Sequence, residues 1–331
     1  MNTNVNKIAV IGGCGFLGSR LSKQLDESSY DYVTADINPT SKGSIKVDVE
    51  NIDSICKLSN VDCFINLAAL HRDDIRPLTR YDDVNIKGAI NVCNAARKLN
   101  VNKIIFTSSV AIYGFAPIDT DETGSPNYFN DYGRTKYLAE QIYIDWQKED
   151  LENRTLVIVR PTVIFGEGNR GNVYNLLKQI ASKKFAMIGD GKNKKSMAYV
   201  ENVAAFLEYS LSFKEGISIY NYVDKPDLDM NALVSIARKQ LFEKNNVGLR
   251  LPAFVGTVIG LLADLVIYTT GKTLPVSSIR FKKFFGTTQF ASSVFTKTNF
   301  VPPVSIEEGL QRTIRYEFLE DNSDNITFKT E

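Results

Sequence analysis

The sequence predicts an α/β fold: a doubly wound parallel sheet with helices on both faces, followed by a smaller C-terminal lobe. Three observations predict it. Apolar runs of strand length alternate with helical patterns over about two thirds of the chain. A glycine-rich turn, Gly12-Gly13-Cys14-Gly15-Phe16-Leu17-Gly18, joins the first strand pattern to the first helical one. Polar and turn residues recur just beyond the strand ends, the edge at which such sheets bind ligands.

The first strand is predicted over 7–12, from the apolar run Lys7-Ile8-Ala9-Val10-Ile11. Leu17, Leu21 and Leu25, spaced by four, then predict a helix over 16–26. Between them Gly12 permits a tight turn, Gly15 lets backbone amides approach a pyrophosphate at the helix N-terminus, and Gly18 allows close packing of helix on strand. A second strand over 31–36 ends in Asp36, whose carboxylate can accept from both ribose hydroxyls of an adenosine and would repel a 2′-phosphate. No Arg follows at once, so NAD is expected rather than NADP. Further strands are predicted over 44–47, 62–67, 102–108 and 155–160 and near 218–222, with helices near 52–59, 80–99, 130–149, 172–182 and 200–212. Asp48, Ala68, Ala69, Ser109 and Pro161 join Asp36 at or after strand ends, on one edge of the sheet.

Tyr132 and Lys136 stand four residues apart in a helical pattern and so share a face. A phenol of pKa about 10 is a poor base at neutral pH. A neighbouring ammonium stabilises the phenolate and is expected to lower that value. Such a Tyr can take a proton from a substrate hydroxyl while a hydride leaves the same carbon.

The formal net charge is +1, from 39 basic and 38 acidic residues, and no basic stripe stands out, so nucleic acid is not an expected partner. Cys14, Cys56, Cys63 and Cys93 show no metal spacing, and with a single His no metal is expected. The cysteines read as reduced and buried, and with a polar N-terminus that is no signal peptide the expected location is cytoplasmic. The run 254–267 is apolar but shorter than the roughly 20 residues of a spanning helix, and Asp264 interrupts it. It reads as a buried or subunit-facing helix within 251–271, and membrane contact is not expected, although Arg250 and Lys272 flank it. The division expected is a nucleotide-binding domain over 1–165 to which 196–223 return, a substrate lobe from 166–195 and 224–318, and a mobile tail over 319–331.

With these residues laid out, the chain resembles the extended short-chain dehydrogenase/reductase superfamily, and within it the NAD-dependent nucleotide-sugar epimerase, dehydratase and reductase branch, built on a Rossmann-type fold. The motifs are Gly12 to Gly18, Asp36, Asp48-Val49, Asn66-Leu67-Ala68-Ala69, Asn85, Thr107 to Gly114, Tyr132 to Lys136 and Arg160-Pro161, with a looser match over 287–310. The resemblance implies roles residue by residue. Ser109 is the serine that bonds the reacting substrate oxygen, with Ser108 the alternative; Tyr132 is the base; Lys136 holds the nicotinamide ribose. Gly12, Gly15, Phe16, Leu17, Gly18, Asp36, Asp48, Val49, Leu67, Ala68, Ala69, Asn85 and Pro161 line the cofactor together with Tyr132 and Lys136, and Asp48 and Val49 meet the adenine. Lys195 and Arg280 are expected toward the substrate, as is Asn172, and His71, which follows the fourth strand, could reach it or lie on a surface loop. Lys195 stands where relatives usually carry an Arg toward the diphosphate, a point charge in place of a bidentate fork. Val110-Ala111 occupies the place of the Asp-Glu pair of the dehydratases, so elimination of water is unsupported.

The expected activity is NAD-dependent 4-epimerisation of a UDP-hexose or UDP-N-acetylhexosamine through transient oxidation at C4, by a homodimer paired through the helices near 80–99 and 130–149. The nearest rival is an NAD(P)H-dependent reductase of a nucleotide-linked 4-keto-6-deoxy sugar, using the same Ser109, Tyr132 and Lys136. More remote are a sterol-type dehydrogenase and a non-catalytic cofactor-sensing protein; the latter generally loses the Tyr or the Lys, and both are present here.

Overall fold

The computed structural model describes residues 5–72, 75–255, 286–322 and 325–328. Seven strands make one sheet: β1 (Lys7–Ile11), β2 (Asp31–Asp36), β3 (Ile45–Lys46), β4 (Cys63–Asn66), β5 (Lys103–Thr107), β6 (Thr155–Pro161) and an outer strand, Gly216–Tyr222. Every pair is parallel, and the order across the sheet is Gly216–Tyr222, β6, β5, β4, β1, β2, β3. The chain steps outward from β1 to β3 and then returns to place β4 on the other side of β1. That reversal opens a crevice beyond the carboxyl ends of β1 and β4. Each strand expected from the sequence is present, because strands covered on both faces read as unbroken apolar runs.

Successive residues of β5 show how the two faces are filled. Ile104 and Phe106 join the layer of Phe64, Val92, Tyr143 and Trp146, whereas Ile105 joins Leu21, Leu25, Val157, Phe206 and Tyr222 on the opposite side. The first layer lies under the helices Gly88–Leu99 and Asp131–Lys148, the second under Phe16–Glu27 and Val200–Tyr209. The helix expected near 80–99 is a short α-turn, Thr79–Tyr81, then a π-helical stretch, Asp82–Lys87, then Gly88–Leu99. Such wide turns tend to mark functional positions, and this one carries Asn85.

A third apolar cluster, with Phe165, Leu177, Met197, Val234, Leu310 and Ile314, gathers the helices Asn172–Ala181, Met230–Phe242 and Ile306–Phe318. The last two were not expected, since regular alternation fails after about residue 223. Their start signals are nonetheless written in the chain. The Asp229 carboxylate accepts the Ala232 N–H at 2.7 Å, and Ser305 Oγ accepts the Glu308 N–H at 3.2 Å.

Two expectations change, and a third lies mostly outside the described residues. Part of the tail expected to be mobile is held: the Phe328 N–H donates to the Gly168 carbonyl, its own carbonyl accepts from Arg170, both at 2.8 Å, and its ring lies 5.8 Å from that of Phe16. An apolar side chain and two backbone bonds outweigh the polar composition around them. Only Cys63 and Cys93 are buried; Cys14 and Cys56 are half-buried. The apolar run lies outside the described residues from 256 onward; among the described residues no helix is long and apolar enough to cross a membrane.

Candidate active site

The glycine turn is built as the spacing requires. Gly12 has φ +79°, and a Cβ there would come within 2.7 Å of the Ala68 nitrogen. A Cβ on Gly18 would meet the Gly12 carbonyl oxygen at 2.5 Å, so helix Phe16–Glu27 could not sit this close to β1 with any other residue. Gly15 is the N-cap of that helix, and a Cβ on it would meet only the Gly12 oxygen, at 3.3 Å. Its open side faces the crevice, in front of first-turn N–H groups of Phe16 and Leu17 that have no carbonyl a turn behind them. At the end of β2, Asp36 Oδ2 accepts the Cys14 N–H and Oδ1 accepts the Asn38 N–H, both at 3.0 Å. Two backbone donors thus fix the carboxylate and leave lone pairs for ribose hydroxyls. Leu67, Ala68 and Ala69 continue β4 along the crevice, partly buried, and Asn66 Oδ1 accepts the Ala68 N–H at 3.1 Å. Asp48 caps a turn by accepting the Glu50 N–H at 2.9 Å, and Val49 is buried against Gly88. Pro161 is buried at the end of β6. These residues fit a dinucleotide lacking a 2′-phosphate.

Ser109 lies just beyond β5 and caps the short 3₁₀ turn Val110–Tyr113, its Oγ accepting the Ala111 N–H at 3.1 Å. Its hydroxyl lies within hydrogen-bonding reach of the Tyr132 phenol. Asn130 Oδ1 accepts the Gly133 N–H at 2.9 Å and starts the helix that carries Tyr132 and Lys136. Lys136 is buried with its Nζ 4.5 Å above the Phe106 ring. Burial pushes the Tyr132 phenol up to about 12, against the hydrogen bond from Ser109, and pushes the Lys136 amine down to about 7, against the charge of Glu140. A lowered phenol was the expectation from the Tyr–Lys spacing. In the folded chain the loss of water around both groups is the larger effect. Ser108 is buried behind the reacting edge, its N–H bonded to the Val159 carbonyl, which leaves Ser109 as the serine facing Tyr132.

Other expected residues are placed differently. Asn85 Oδ1 accepts the Leu70 N–H at 2.8 Å, and its Nδ2 donates to the Leu70 carbonyl and to Thr135 Oγ1 at 3.0 and 2.9 Å. With both amide donors taken, Asn85 ties the loop after β4 to the helix that carries Tyr132. Lys195 Nζ donates to the Gly286 carbonyl at 2.6 Å and to Thr288 Oγ1 at 2.8 Å, and burial pushes it down to about 8. Two of its three N–H groups thus brace 286–288 against the lobe. His71 lies on the loop after β4; the surrounding protein lowers its pKa, and the charges of Lys136 and Arg72 do so too. Asn172 opens its helix, exposed. Arg280 lies outside the described residues.

The sequence reading missed what stands behind the site. Arg160 forks onto Glu140 at 2.9 and 2.6 Å and also donates to the Tyr113 phenol at 2.7 Å, all three residues being buried. The signal was present, since Glu140 follows Lys136 by one helical turn and Tyr113 ends the turn that Ser109 begins.

The model of the NAD dependent epimerase/dehydratase family matches residues 8–221. The chain is 44% identical to the N-acetyl-alpha-D-glucosaminyl-diphospho-ditrans,octacis-undecaprenol 4-epimerase of Escherichia coli, over 100% of both chains. It is 25% identical to the UDP-glucose 4-epimerase of Vibrio cholerae, over 96% of each. Among solved structures, the UDP-glucose 4-epimerase of Thermotoga maritima shares the fold, with a TM-score of 0.72 at 21% identity over 94% of this chain and 98% of that one. A glycine cradle, a fixed carboxylate at the second strand end and a facing Ser, Tyr and Lys, on a chain so matched along its length, place it: the protein belongs to the NAD dependent epimerase/dehydratase family.

Proposed function

We propose that this chain is an NAD-dependent 4-epimerase acting on an N-acetylhexosamine joined through a diphosphate to a polyprenol. The observation that carries the reading is the 44% identity, end to end, to a relative named for that lipid-linked sugar. The UDP-sugar expected from the sequence has the same sugar-diphosphate and differs in the carrier. The Vibrio cholerae relative, named for UDP-glucose, keeps it as the second reading. When bound, NAD supplies the acceptance and return of a hydride. The chain supplies the rest. Gly12, Gly15, Phe16, Leu17 and Gly18 hold the pyrophosphate; Asp36 holds the adenosine ribose; Asp48 and Val49 meet the adenine; Leu67, Ala68, Ala69 and Pro161 wall the crevice. Tyr132 removes and restores the proton of the 4-hydroxyl, Ser109 donates a hydrogen bond to that oxygen, and Lys136 supports both the ribose and the phenolate. The described residues of 166–195 and 224–318 belong to the lobe that would anchor the carrier, and His71 and Asn172 would meet the substrate. Val110-Ala111 offers no acid–base pair for loss of water. The reading includes a homodimer paired through Gly88–Leu99 and Asp131–Lys148, on whose first helix Ile90 is exposed, and a cytoplasmic site of action.

The test is to give purified protein catalytic NAD with N-acetylglucosaminyl-diphospho-polyprenol in detergent, and in parallel UDP-N-acetylglucosamine, and to follow the C4 configuration by NMR. A higher kcat/KM for the galacto epimer on the lipid carrier supports the proposal. Preference for the UDP-sugar moves the carrier assignment to the second reading. Stoichiometric NADH consumption on a 4-keto-6-deoxy substrate, with no epimer from either sugar, replaces both with a reductase.

A further inference from the structure

Behind the reacting edge lies a polar network that binding of cofactor or sugar does not require. The Arg160 guanidinium, on β6, meets both Glu140 oxygens, and the side chains of the pair are 7% and 0% exposed. Its remaining nitrogen donates to the Tyr113 phenol at 2.7 Å and to the Glu122 carbonyl at 3.2 Å. Tyr113 in turn donates to Asn221 Oδ1 at 2.9 Å, on the outer strand of the sheet. Burying two charges costs more than their pairing returns unless the geometry is good, and apolar side chains of similar volume can often replace such a pair without loss of stability. Its place in the fold gives it a use. Glu140 lies one turn beyond Lys136 on the helix that also carries Tyr132, and Tyr113 lies one turn beyond Ser109. Arg160 therefore clamps the two elements whose side chains meet across the crevice.

We propose that Arg160 and Glu140 are positioning residues of the reaction: the clamp sets the spacing of Ser109 from Tyr132, and the Glu140 carboxylate is the negative neighbour that keeps Lys136 an ammonium. This rests on the reading of Ser109, Tyr132 and Lys136 as the catalytic set. Burial presses the Lys136 amine down to about 7, and Glu140 is the charge that works against it. Among the described residues, the other groups beside Lys136 are the Phe106 ring from β5, Tyr132 on its own helix and His71 on the loop after β4, none of them an anion in the resting protein at neutral pH. Glu140 is faced by Arg160 from β6 and by Tyr113 from the 3₁₀ turn. Without its carboxylate, Lys136 loses its proton at a lower pH and no longer supports the Tyr132 phenolate.

Removing one partner strands a buried charge, so the decisive variant is the neutral double E140Q/R160M, with R160K beside it. Circular dichroism and melting establish the fold. Rates of 4-epimerisation are then measured against pH. The double variant is expected to keep KM within about twofold, to lose about tenfold or more in kcat, and to move the limb of its pH profile set by loss of the Lys136 ammonium downward by roughly half a unit or more. R160K keeps the charge and should hold the wild-type limb while losing rate. Nitrogen-15 NMR of Lys136 Nζ gives a readout that needs no substrate, and its titration should fall in the double variant. An unchanged Lys136 titration, or a folded double variant with wild-type kcat and pH profile, overturns the proposal. Failure of the wild type to epimerise either sugar overturns the catalytic reading instead, and the NMR titration still decides the role of Glu140.

Discussion

Tyr132 is where a single atom decides most. Replacing it with Phe keeps the ring and removes the proton acceptor, so kcat should fall by about 10²–10⁴ while cofactor affinity holds. Steady-state turnover beside an NAD binding titration checks this; a variant keeping more than about a tenth of the rate would remove Tyr132 from its role. At Asp36 the fixed carboxylate should favour NAD over NADP by at least about tenfold, roughly 1.4 kcal/mol, and Asp36→Ala should narrow that gap in calorimetry. Cys14 gives a third case. Partial burial tends to raise its thiol, but the Thr40 and Ser41 backbone N–H groups and side chains prevail and the pKa is lowered, whereas burial holds Cys63 and Cys93 up at about 12. Iodoacetamide should therefore label Cys14 ahead of those two, and NAD should slow the labelling, as peptide mass spectrometry would show. Residues whose reason is local were legible: Gly12 and Gly18 need only the chain beside them and the strand next door. Asn85 and Lys195 were not, because a side-chain amide or ammonium takes whichever partners the tertiary fold brings, and those lie at Leu70 and Thr135 and at Gly286 and Thr288.

Among elements, the outer strand Gly216–Tyr222 ends at a buried carboxyl. Asp224 accepts the Tyr199 N–H at 2.7 Å and the Tyr222 hydroxyl at 3.2 Å, and burial still raises it from 3.8 to about 6. A carboxyl whose pKa is raised by folding binds a proton more readily in the folded chain than in the unfolded one. Its contribution to stability therefore grows as pH falls from about 6 toward 3.8 and is lost as pH rises. Urea unfolding across that range should show the trend, and Asp224→Asn should flatten it. The cap of helix Met230–Phe242 is simpler: Asp229→Ala loses one side-chain acceptor and should cost about 1 kcal/mol, read as a lower Tm. The strands were legible because parallel strands buried on both faces admit few polar residues. The helices beyond 223 were not, because short pieces of strand and loop such as Lys194–Lys195 and Leu228–Asp229 interrupt the period, and only the Asp and Ser caps announced them.

On the scale of the whole molecule, the cradle for the nucleotide comes from one continuous stretch, whereas the lobe draws on segments far apart in the chain. The division is one of order in time as well as of place. A chain growing from a ribosome completes β1 to β5 early and can present Gly12 to Gly18 to a dinucleotide before Tyr132 has been added. The contact that covers this turn, Phe328 on Phe16 with its two backbone bonds to Gly168 and Arg170, becomes possible only after residue 328 has been added. NAD held by the unfinished chain should then exchange freely, and NAD held by the finished one slowly. Phe328→Ala, which leaves the cradle untouched, should return the mature protein to the faster regime, raising the NAD dissociation rate severalfold in a stopped-flow chase with kcat at saturating NAD nearly constant. An unchanged rate would mean that the late residues merely rest on a cradle already closed.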